Sequence, residues 1–299
     1  MAPLVPTPRV MKKLTHPEGP ALSRILAGVW RWHTVSSEAM ERLIYLAIDQ
    51  GITSFDHADI YGNYSNEELF GRVLKRNPSL LRQIQLVSKC GIRLQSDKRP
   101  EHRVKHYNTS QKHILASVEN SLRELGADHL DVLLLHRPDP LMNVAEVCEA
   151  FMQLKQQGKV SFFGVSNFTP AQFDLLQSVL PFPLVTNQIE ISLAHPVPFT
   201  DGTMDHLYRN KVSAMAWSPL GGGHMNLDER LFFSLAARYN ATYSQLALAW
   251  LLHHPSQIFP IIGTTQPDRI TEAAKAVDIV LEKQDWFEML KWSTGKEVA

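Results

Sequence analysis

The stretch VSFFGVSNFTPAQFDLLQSVL, residues 160–180, contains one complete strand-to-helix unit. Its first part, Val160–Val165, is rich in β-branched and aromatic side chains, which favours a buried strand. Thr169 then offers a hydroxyl that can cap a helix, and Pro170 suits the first helical turn. We therefore predict a strand at Val160–Val165 and a helix at Pro170–Leu180.

The same unit recurs along the chain at a spacing of roughly 30 residues, the size of one strand-helix repeat. After a predicted hairpin at about Arg9 to Leu22, the remaining strands are predicted at Arg24–Gly28, Ser54–Asp56, Gln85–Lys89, Asp131–His136, Leu184–Gln188, Ser213–Trp217 and Ile258–Ile262. The remaining helices are predicted at Ser37–Gln50, Asn66–Lys75, Ser110–Leu125, Val144–Gln157, Met204–Arg209, Leu231–His253 and Pro267–Ala276.

Eight alternating units without a Pro/Gly/Ser-rich linker favour a closed (β/α)8 TIM barrel, formed as a single domain over residues 1–299. A Rossmann fold needs a G-x-G-x-x-G turn after its first strand. The corresponding stretch here is GVWRW, residues 28–32, so any dinucleotide must bind in another way. Two long insertions, Arg93–Asn108 and Ser192–Asp201, fall on strand-to-helix connections, which carry function in such barrels.

Composition excludes several classes of protein. The chain has 299 residues with 30 Lys+Arg against 30 Asp+Glu, and no basic run of the kind that nucleic-acid binding requires. No apolar stretch approaches the ~20 residues of a membrane-spanning helix, and the N-terminus has the reverse of a secretory signal pattern. Cys90 and Cys148 cannot make a disulfide framework and lack metal-ligand spacing. We expect a cytoplasmic protein that binds neither nucleic acid nor membrane.

Titratable side chains stand at the ends of three consecutive predicted strands. Asp56 ends the second strand and Tyr61 follows it, Lys89 ends the third strand and His136 ends the fourth. Any one of them alone is more simply read as a cap, a solvated lysine or a core histidine. Four together at one barrel mouth are harder to explain structurally, since buried charge is costly unless it is paired.

The residue types indicate protonation of a carbonyl group. We expect Lys89 to lower the pKa of Tyr61 from its usual value of about 10, so that Tyr61 acts as a general acid. Asp56 would keep Lys89 protonated, and His136 would hydrogen-bond the substrate oxygen. A metal site is disfavoured, although His57 and Asp59 lie beside Asp56, because neighbouring strand residues point to opposite faces.

The strings FDHADIYG, VSKCG, LLLHRPD, GVSNF, TNQIEIS and WSPLGGG occur in this order and resemble the aldo/keto reductase family, in particular a bacterial branch called YdhF-like. The resemblance covers nearly the whole chain. It implies a (β/α)8 barrel that reduces aldehydes or ketones with NAD(P)H, and it assigns the catalytic tetrad to Asp56, Tyr61, Lys89 and His136. It also implies a small-molecule carbonyl substrate and a monomer or weak dimer.

The resemblance further assigns the cofactor site. Ser166, Asn167 and Gln188 match residues that bind the nicotinamide carboxamide, and Trp217 matches an aromatic that stacks on the ring, where Tyr or Phe is more familiar. The other cofactor positions are Gly28, Val29, Trp30, Ser218, Pro219, Leu220, Gly221, Gly263, Thr264, Thr265, Arg269 and Glu272. The substrate pocket is expected to be walled by Trp30, Trp32, His33, Tyr64 and Trp217.

The preference for NADPH over NADH depends on the 2′-phosphate. Arg269 and Thr264 are suited to bind it. Many NADPH-preferring members carry a lysine at the position of Gly263 and an amide at that of Ala273, so this chain has one cation fewer. The sequence predicts a preference for NADP(H), weaker than in members with both residues.

Two other functions remain open at this point. A cofactor-binding sensor or accessory subunit can keep the tetrad and turn over slowly. A Schiff-base lyase can also place a lysine beside an acid at a strand end, although Ser166, Asn167 and Gln188 would then be unexplained. Arg137 fits either a substrate carboxylate or a surface ion pair near Asp139.

Overall fold

The computed structural model describes residues 10–223, 225 and 229–297. It begins with an antiparallel hairpin of strands β1 (Lys12–Leu14) and β2 (Ala21–Ser23), in which Lys12 pairs with Ser23. A hairpin was predicted here. Its predicted first residue, Arg9, lies outside the described residues.

Eight parallel strands form a closed barrel, which confirms the predicted (β/α)8 fold. Each predicted strand is present, with ends that differ from the prediction by at most two residues. The strands are β3 (Leu26–Gly28), β4 (Ser54–Asp56), β5 (Gln85–Cys90), β8 (Leu130–Leu135), β9 (Val160–Ser166), β10 (Leu184–Glu190), β11 (Ser213–Trp217) and β12 (Phe259–Ile262). They are hydrogen-bonded in that order around the barrel, and β12 closes onto β3. Strands β6 (Ile92–Arg93) and β7 (His106–Tyr107) form a small hairpin within the first predicted insertion.

Helices surround the barrel. They are α1 (Ser37–Asp49), α2 (Tyr61–Tyr64), α3 (Asn66–Arg76), α4 (Gln111–Leu125), α5 (Val144–Gln156), α6 (Pro170–Gln177), α7 (Thr203–Arg209), α8 (Glu229–Tyr239), α9 (Tyr243–Leu252), α10 (Pro267–Ala274) and α11 (Lys283–Thr294). Of these described helices, five begin at a side-chain cap, namely α1, α4, α5, α6 and α9. Ser36 caps α1, and Thr169 forms a capping box with Gln172 at the start of α6, as that Thr-Pro sequence predicts. None of the described helices is long and apolar enough to cross a bilayer.

The single helix predicted at Leu231–His253 is wrong, because the structure has two helices there, α8 and α9. Asn240 has a left-handed backbone with φ +45°, which ends the first helix. Thr242 and Gln245 then form a capping box that starts the second. The terminal helix α11 was not predicted. It is anchored by Trp286, whose ring stacks on that of Trp250 with centroids 5.2 Å apart.

The core has an inner layer inside the barrel and a larger layer between strands and helices. The inner layer contains Val87, Val132, Leu134 and Met215 among others. Because strand side chains alternate between faces, the residues two positions further along these strands also point inward. Lys89, His136 and Trp217 occupy those positions at the carboxyl end of the barrel.

A close contact between α3 and α4 generates a test of the packing. A methyl group on Gly71 would overlap the Glu124 carbonyl and lie 2.8 Å from Leu125 Cα. We expect Gly71→Ala to lower the free energy of unfolding by roughly 2–3 kcal/mol, because this overlap outweighs the ~1 kcal/mol helix preference of alanine. Urea denaturation measures the change.

Gly158→Ala provides the control, because Gly158 has a left-handed φ of +69° but open space around a methyl group. Its loss should be about 1 kcal/mol, from backbone strain alone. Equal losses in the two variants would contradict the close approach of α3 and α4.

Candidate active site

The four tetrad residues meet at the carboxyl end of three adjacent barrel strands. Asp56 ends β4, Lys89 lies near the end of β5, and His136 directly follows β8. Tyr61 begins α2 on the loop after β4. Parallel pairing of β4 with β5 and of β5 with β8 brings these strand ends together.

Lys89 is the centre of the group. Its Nζ donates hydrogen bonds to Asp56 Oδ2 at 2.7 Å, to the His57 carbonyl at 2.7 Å and to the Tyr61 hydroxyl oxygen at 3.1 Å. The side chains of Lys89 and Asp56 are 0% and 3% exposed. An ammonium group has three N–H donors, so every donor of Lys89 is in use. Because the Tyr61 oxygen accepts from Lys89, its own hydrogen is free to point elsewhere.

The pKa of Lys89 agrees with expectation, but the pKa of Tyr61 does not. Burial lowers the pKa of Lys89, but Asp56 and Tyr61 outweigh it and the net pKa lies above its usual value. For Tyr61, burial raises the pKa above its usual value, although Lys89 opposes this shift. The expected fall in the Tyr61 pKa is therefore wrong, because loss of solvation of the phenolate exceeds the effect of the neighbouring cation. The hydroxyl is protonated at neutral pH.

His136 is neutral at the same mouth. Burial, followed by the charges of Lys89 and Arg137, lowers its pKa well below the usual value. Its ring meets the Tyr61 ring edge to face, with centroids 5.9 Å apart. The Nδ1 atom is buried and has no hydrogen-bond partner among the described residues. A neutral imidazole has one N–H and one acceptor nitrogen, so His136 can donate one hydrogen bond into the mouth.

A second polar chain connects the tetrad to the next three strands. Gln188 Nε2 donates to Asp56 Oδ1 at 2.8 Å, and Ser166 Oγ donates to the Gln188 carbonyl at 2.8 Å. Asn167 Nδ2 donates to Ser166 Oγ at 2.7 Å, and Trp217 Nε1 donates to Asn167 Oδ1 at 2.9 Å. These four predicted nicotinamide residues are therefore fixed relative to one another and to Asp56.

A cavity of about 870 Å³ opens above these residues. Asp56, Tyr61 and His136 line it, while Lys89 lies one layer beneath. Most residues predicted for the cofactor also line it, namely Gly28, Trp30, Ser166, Asn167, Gln188, Trp217, Ser218, Pro219, Leu220, Gly263, Thr264, Thr265, Arg269 and Glu272. Two predicted cofactor residues, Val29 and Gly221, do not line the cavity. Val29 is buried, and the neighbouring Gly222 and Gly223 line the cavity instead of Gly221.

Three residues predicted to wall the substrate pocket do not line this cavity. Trp32 is 1% exposed, because its indole is packed on Phe55 and Phe70 in the core. His33 is exposed, and its Nδ1 lies 3.1 Å from the Trp30 carbonyl. The Tyr64 hydroxyl accepts a hydrogen bond from the Leu94 amide in the first insertion. Aromatic composition alone did not indicate which rings face the cavity.

Other lining residues were missed by the sequence reading. The residues Tyr243, Ser244 and Leu248 belong to α9 and line the cavity. They lie there because α9 is a separate helix that begins after the cap residue Thr242. The Thr-x-x-Gln spacing of that capping box is the signal that could have found them. Arg137 also lines the cavity.

An acidic group lies behind the Tyr61 loop. Glu67 is 2% exposed and accepts a hydrogen bond from Ser88 Oγ at 2.6 Å. Burial, opposed by Ser88 and reinforced by the charge of Asp59, raises its pKa to about 8. Burial raises the pKa of Asp59 to about 7 and lowers that of His57 to about 3. Among the described residues, no three His, Cys, Asp or Glu side chains are placed to hold a metal ion.

Comparison with known proteins agrees with the resemblance in the sequence. The model of the aldo/keto reductase family matches residues 24–292. The chain is 46% identical to the oxidoreductase YdhF of Escherichia coli, over 94% of this chain and 97% of that protein. It is 44% identical to a 6-dehydroglucose reductase of Agrobacterium fabrum, over 93% of this chain and 96% of that protein.

The fold is also similar to a solved structure. An aldo/keto reductase from Klebsiella pneumoniae, in complex with NADP and acetate, superposes with a TM-score of 0.77 at 25% sequence identity. The match covers 94% of each chain. The fold of this chain therefore has a structural counterpart in a protein that was solved in complex with NADP.

The buried Glu67 generates a prediction about stability. Its pKa of about 8 in the folded protein exceeds the ordinary value of 4.5. Between these values the folded state holds a proton that the unfolded state has released, so the free energy of unfolding should fall as pH rises through this range. Glu67→Gln cannot ionise, and we expect the decline to be shallower in urea titrations at pH 5–8.

Glu68→Gln is the matched control, because Glu68 is exposed on the same helix and pairs with Arg72. Its stability should fall with pH as steeply as that of the unmodified protein. Parallel curves for Glu67→Gln and the unmodified protein would show that Glu67 is not protonated in the folded state.

Proposed function

The chain belongs to the aldo/keto reductase family, and on that premise we propose that it reduces an aldehyde or ketone to the alcohol with NADPH as the hydride donor. The observation that carries this proposal is the Tyr61 hydroxyl. Its oxygen is fixed by Lys89, its hydrogen is free, and it opens on the large cavity. A fixed O–H donor beside a neutral imidazole is suited to protonating a carbonyl oxygen.

Each tetrad residue then has a distinct task. Tyr61 donates its proton to the carbonyl oxygen, and the phenolate that forms is stabilised by the Lys89 ammonium at 3.1 Å. Asp56 balances the charge of Lys89 and keeps it protonated. His136 donates a hydrogen bond to the same carbonyl oxygen and so orients it. When bound, the nicotinamide supplies a hydride to the carbonyl carbon.

The residues present fit a nicotinamide. A primary carboxamide needs both donors and acceptors, and Asn167, Ser166 and Gln188 supply them from fixed positions. Gln188 uses its amide nitrogen on Asp56, so its Oε1 is the atom left to accept from the carboxamide. The half-buried indole of Trp217 offers a flat surface for the ring.

The opposite end of the cavity fits an adenosine phosphate. Arg269 and Thr264 line it, together with the first residues of α9 and the cap residue of α10. Helix N-termini and a guanidinium group both favour a phosphate. Glu272 also lines this end, but its carboxylate accepts a hydrogen bond from the Thr242 hydroxyl. These features support the proposed preference for NADP(H).

The lyase alternative is disfavoured by the state of Lys89. A Schiff base forms on a neutral amine with a free lone pair. The raised pKa of Lys89 keeps it an ammonium, and its three donors are bound to Asp56, His57 and Tyr61. Lys89 therefore acts through Tyr61 and not as a nucleophile.

Tyr61→Phe tests the assigned acid. We expect kcat/KM for carbonyl reduction to fall by roughly 10²–10⁴-fold, the usual contribution of a general acid. The Kd for NADPH should stay within about twofold, because the hydroxyl acts on the transition state and not on the cofactor. NADPH oxidation and fluorescence titration measure the two quantities, and full turnover in the variant would refute the assignment.

The cofactor preference is tested by parallel titrations with NADPH and NADH. We expect NADPH to bind about tenfold more tightly, the effect of one charge-assisted contact to the 2′-phosphate. Arg269→Gln should remove most of this difference and leave NADH binding unchanged. Comparable Kd values in the unmodified protein would reject the preference.

A further inference from the structure

We propose that Arg137 binds a carboxylate group of the substrate, so that the enzyme prefers carbonyl compounds that carry this negative charge. The inference rests on the proposed reductase function and names its substrate class. It concerns a residue outside the tetrad and the predicted cofactor set.

Arg137 lies beside the tetrad at the mouth of the barrel. It directly follows His136 after β8 and lines the same cavity as Tyr61 and His136. Burial raises the pKa of Tyr61 and lowers that of His136, and in both cases the charge of Arg137 adds a lowering contribution, as expected of a cation near both groups. A substrate held with its carbonyl oxygen between Tyr61 and His136 therefore passes beside this cation.

Arg137 has no ionic partner among the residues that the structure describes. Within the described part of the chain, no carboxylate lies within 4.0 Å of its guanidinium. The surface ion pair considered from the sequence is not formed, because Asp139 is engaged elsewhere. Its carboxylate accepts hydrogen bonds from Thr109 Oγ1 at 3.0 Å and from the Leu141 amide at 2.8 Å.

The guanidinium of Arg137 lies over the Trp217 ring. Its guanidinium carbon lies 5.6 Å from the centre of the Trp217 ring, and Trp217 is itself fixed by Asn167. Stacking on an aromatic face restrains a guanidinium and leaves its N–H edges available. A planar carboxylate can accept two parallel hydrogen bonds from such an edge. The half-buried position limits screening by water.

The barrel order separates this site from the cofactor phosphates. Strand β8, which precedes Arg137, stands four places from β12 in the closed ring of eight strands, and so lies across the mouth from it. Thr264 and Arg269 follow β12. The 2′-phosphate end and Arg137 are therefore on opposite sides of the mouth, and we assign the carboxylate position beside Arg137 to the substrate and not to the cofactor.

Two aldehydes of nearly equal shape test the inference. 4-Carboxybenzaldehyde carries a planar anion, and 4-nitrobenzaldehyde carries a planar neutral group of the same size. We compare the ratio of their kcat/KM values in the unmodified protein, Arg137→Gln and Arg137→Lys. The difference in intrinsic reactivity between the two aldehydes is the same for each protein, so it does not affect this comparison. We expect Arg137→Gln to lower the carboxylate-to-nitro ratio by about tenfold, the effect of one charged hydrogen-bonded contact. Arg137→Lys should retain part of it.

Arg209→Gln is the control for net charge, because Arg209 is 71% exposed on α7 and does not line the cavity. It should leave the ratio unchanged. A binding measurement accompanies the kinetics: the Kd of 4-(hydroxymethyl)benzoate, the alcohol product, should rise about tenfold in Arg137→Gln, and that of benzyl alcohol should not change.

The outcomes separate this inference from the proposed function. If the unmodified protein reduces 4-nitrobenzaldehyde and Arg137→Gln leaves the ratio unchanged, the substrate inference is overturned and the reductase stands. If Arg137→Gln instead weakens NADPH binding with an unchanged ratio, Arg137 belongs to the cofactor site and the inference also falls. If the unmodified protein reduces neither aldehyde, both proposals fail together.

Discussion

The site depends on one buried ion pair, Lys89 with Asp56. Burying an ammonium and a carboxylate is unfavourable unless both are paired and their remaining hydrogen-bonding groups are satisfied. Here Lys89 uses its three donors on Asp56, His57 and Tyr61, and Asp56 also accepts from Gln188. The requirement to satisfy these two charges therefore fixes the Tyr61 hydroxyl and the Gln188 side chain at once.

The closed parallel barrel makes this arrangement possible. All eight strands end at the same mouth, and inward positions repeat every second residue. Apolar residues such as Val87 and Val132 fill the interior below, and Lys89 and His136 follow them in the same inward direction. The mouth thus has a rigid apolar base beneath its polar groups, which holds them in place without solvent.

The sequence was informative where a period or a motif set the structure. Alternating apolar strands and capped helices predicted the barrel, and the residues of the tetrad lie together. The prediction was wrong where two local signals disagreed. The hydrophobic pattern predicted one continuous helix, but the capping box at Thr242 starts a second helix there. Trp32 has the composition of a pocket residue but packs in the core. The Tyr61 pKa depends on the balance between burial and the Lys89 charge, which only three-dimensional contacts reveal.

The proposed mechanism requires that Lys89 acts through the Tyr61 hydroxyl. We would test this requirement with a double-mutant cycle on the single-turnover rate of carbonyl reduction. The variants are Tyr61→Phe, Lys89→Met and both together, and circular dichroism checks that each variant folds. Residues that act as one unit are strongly non-additive. We therefore expect the double variant to be about as slow as the slower single variant. Losses that multiply would contradict it, since the two residues would then act independently.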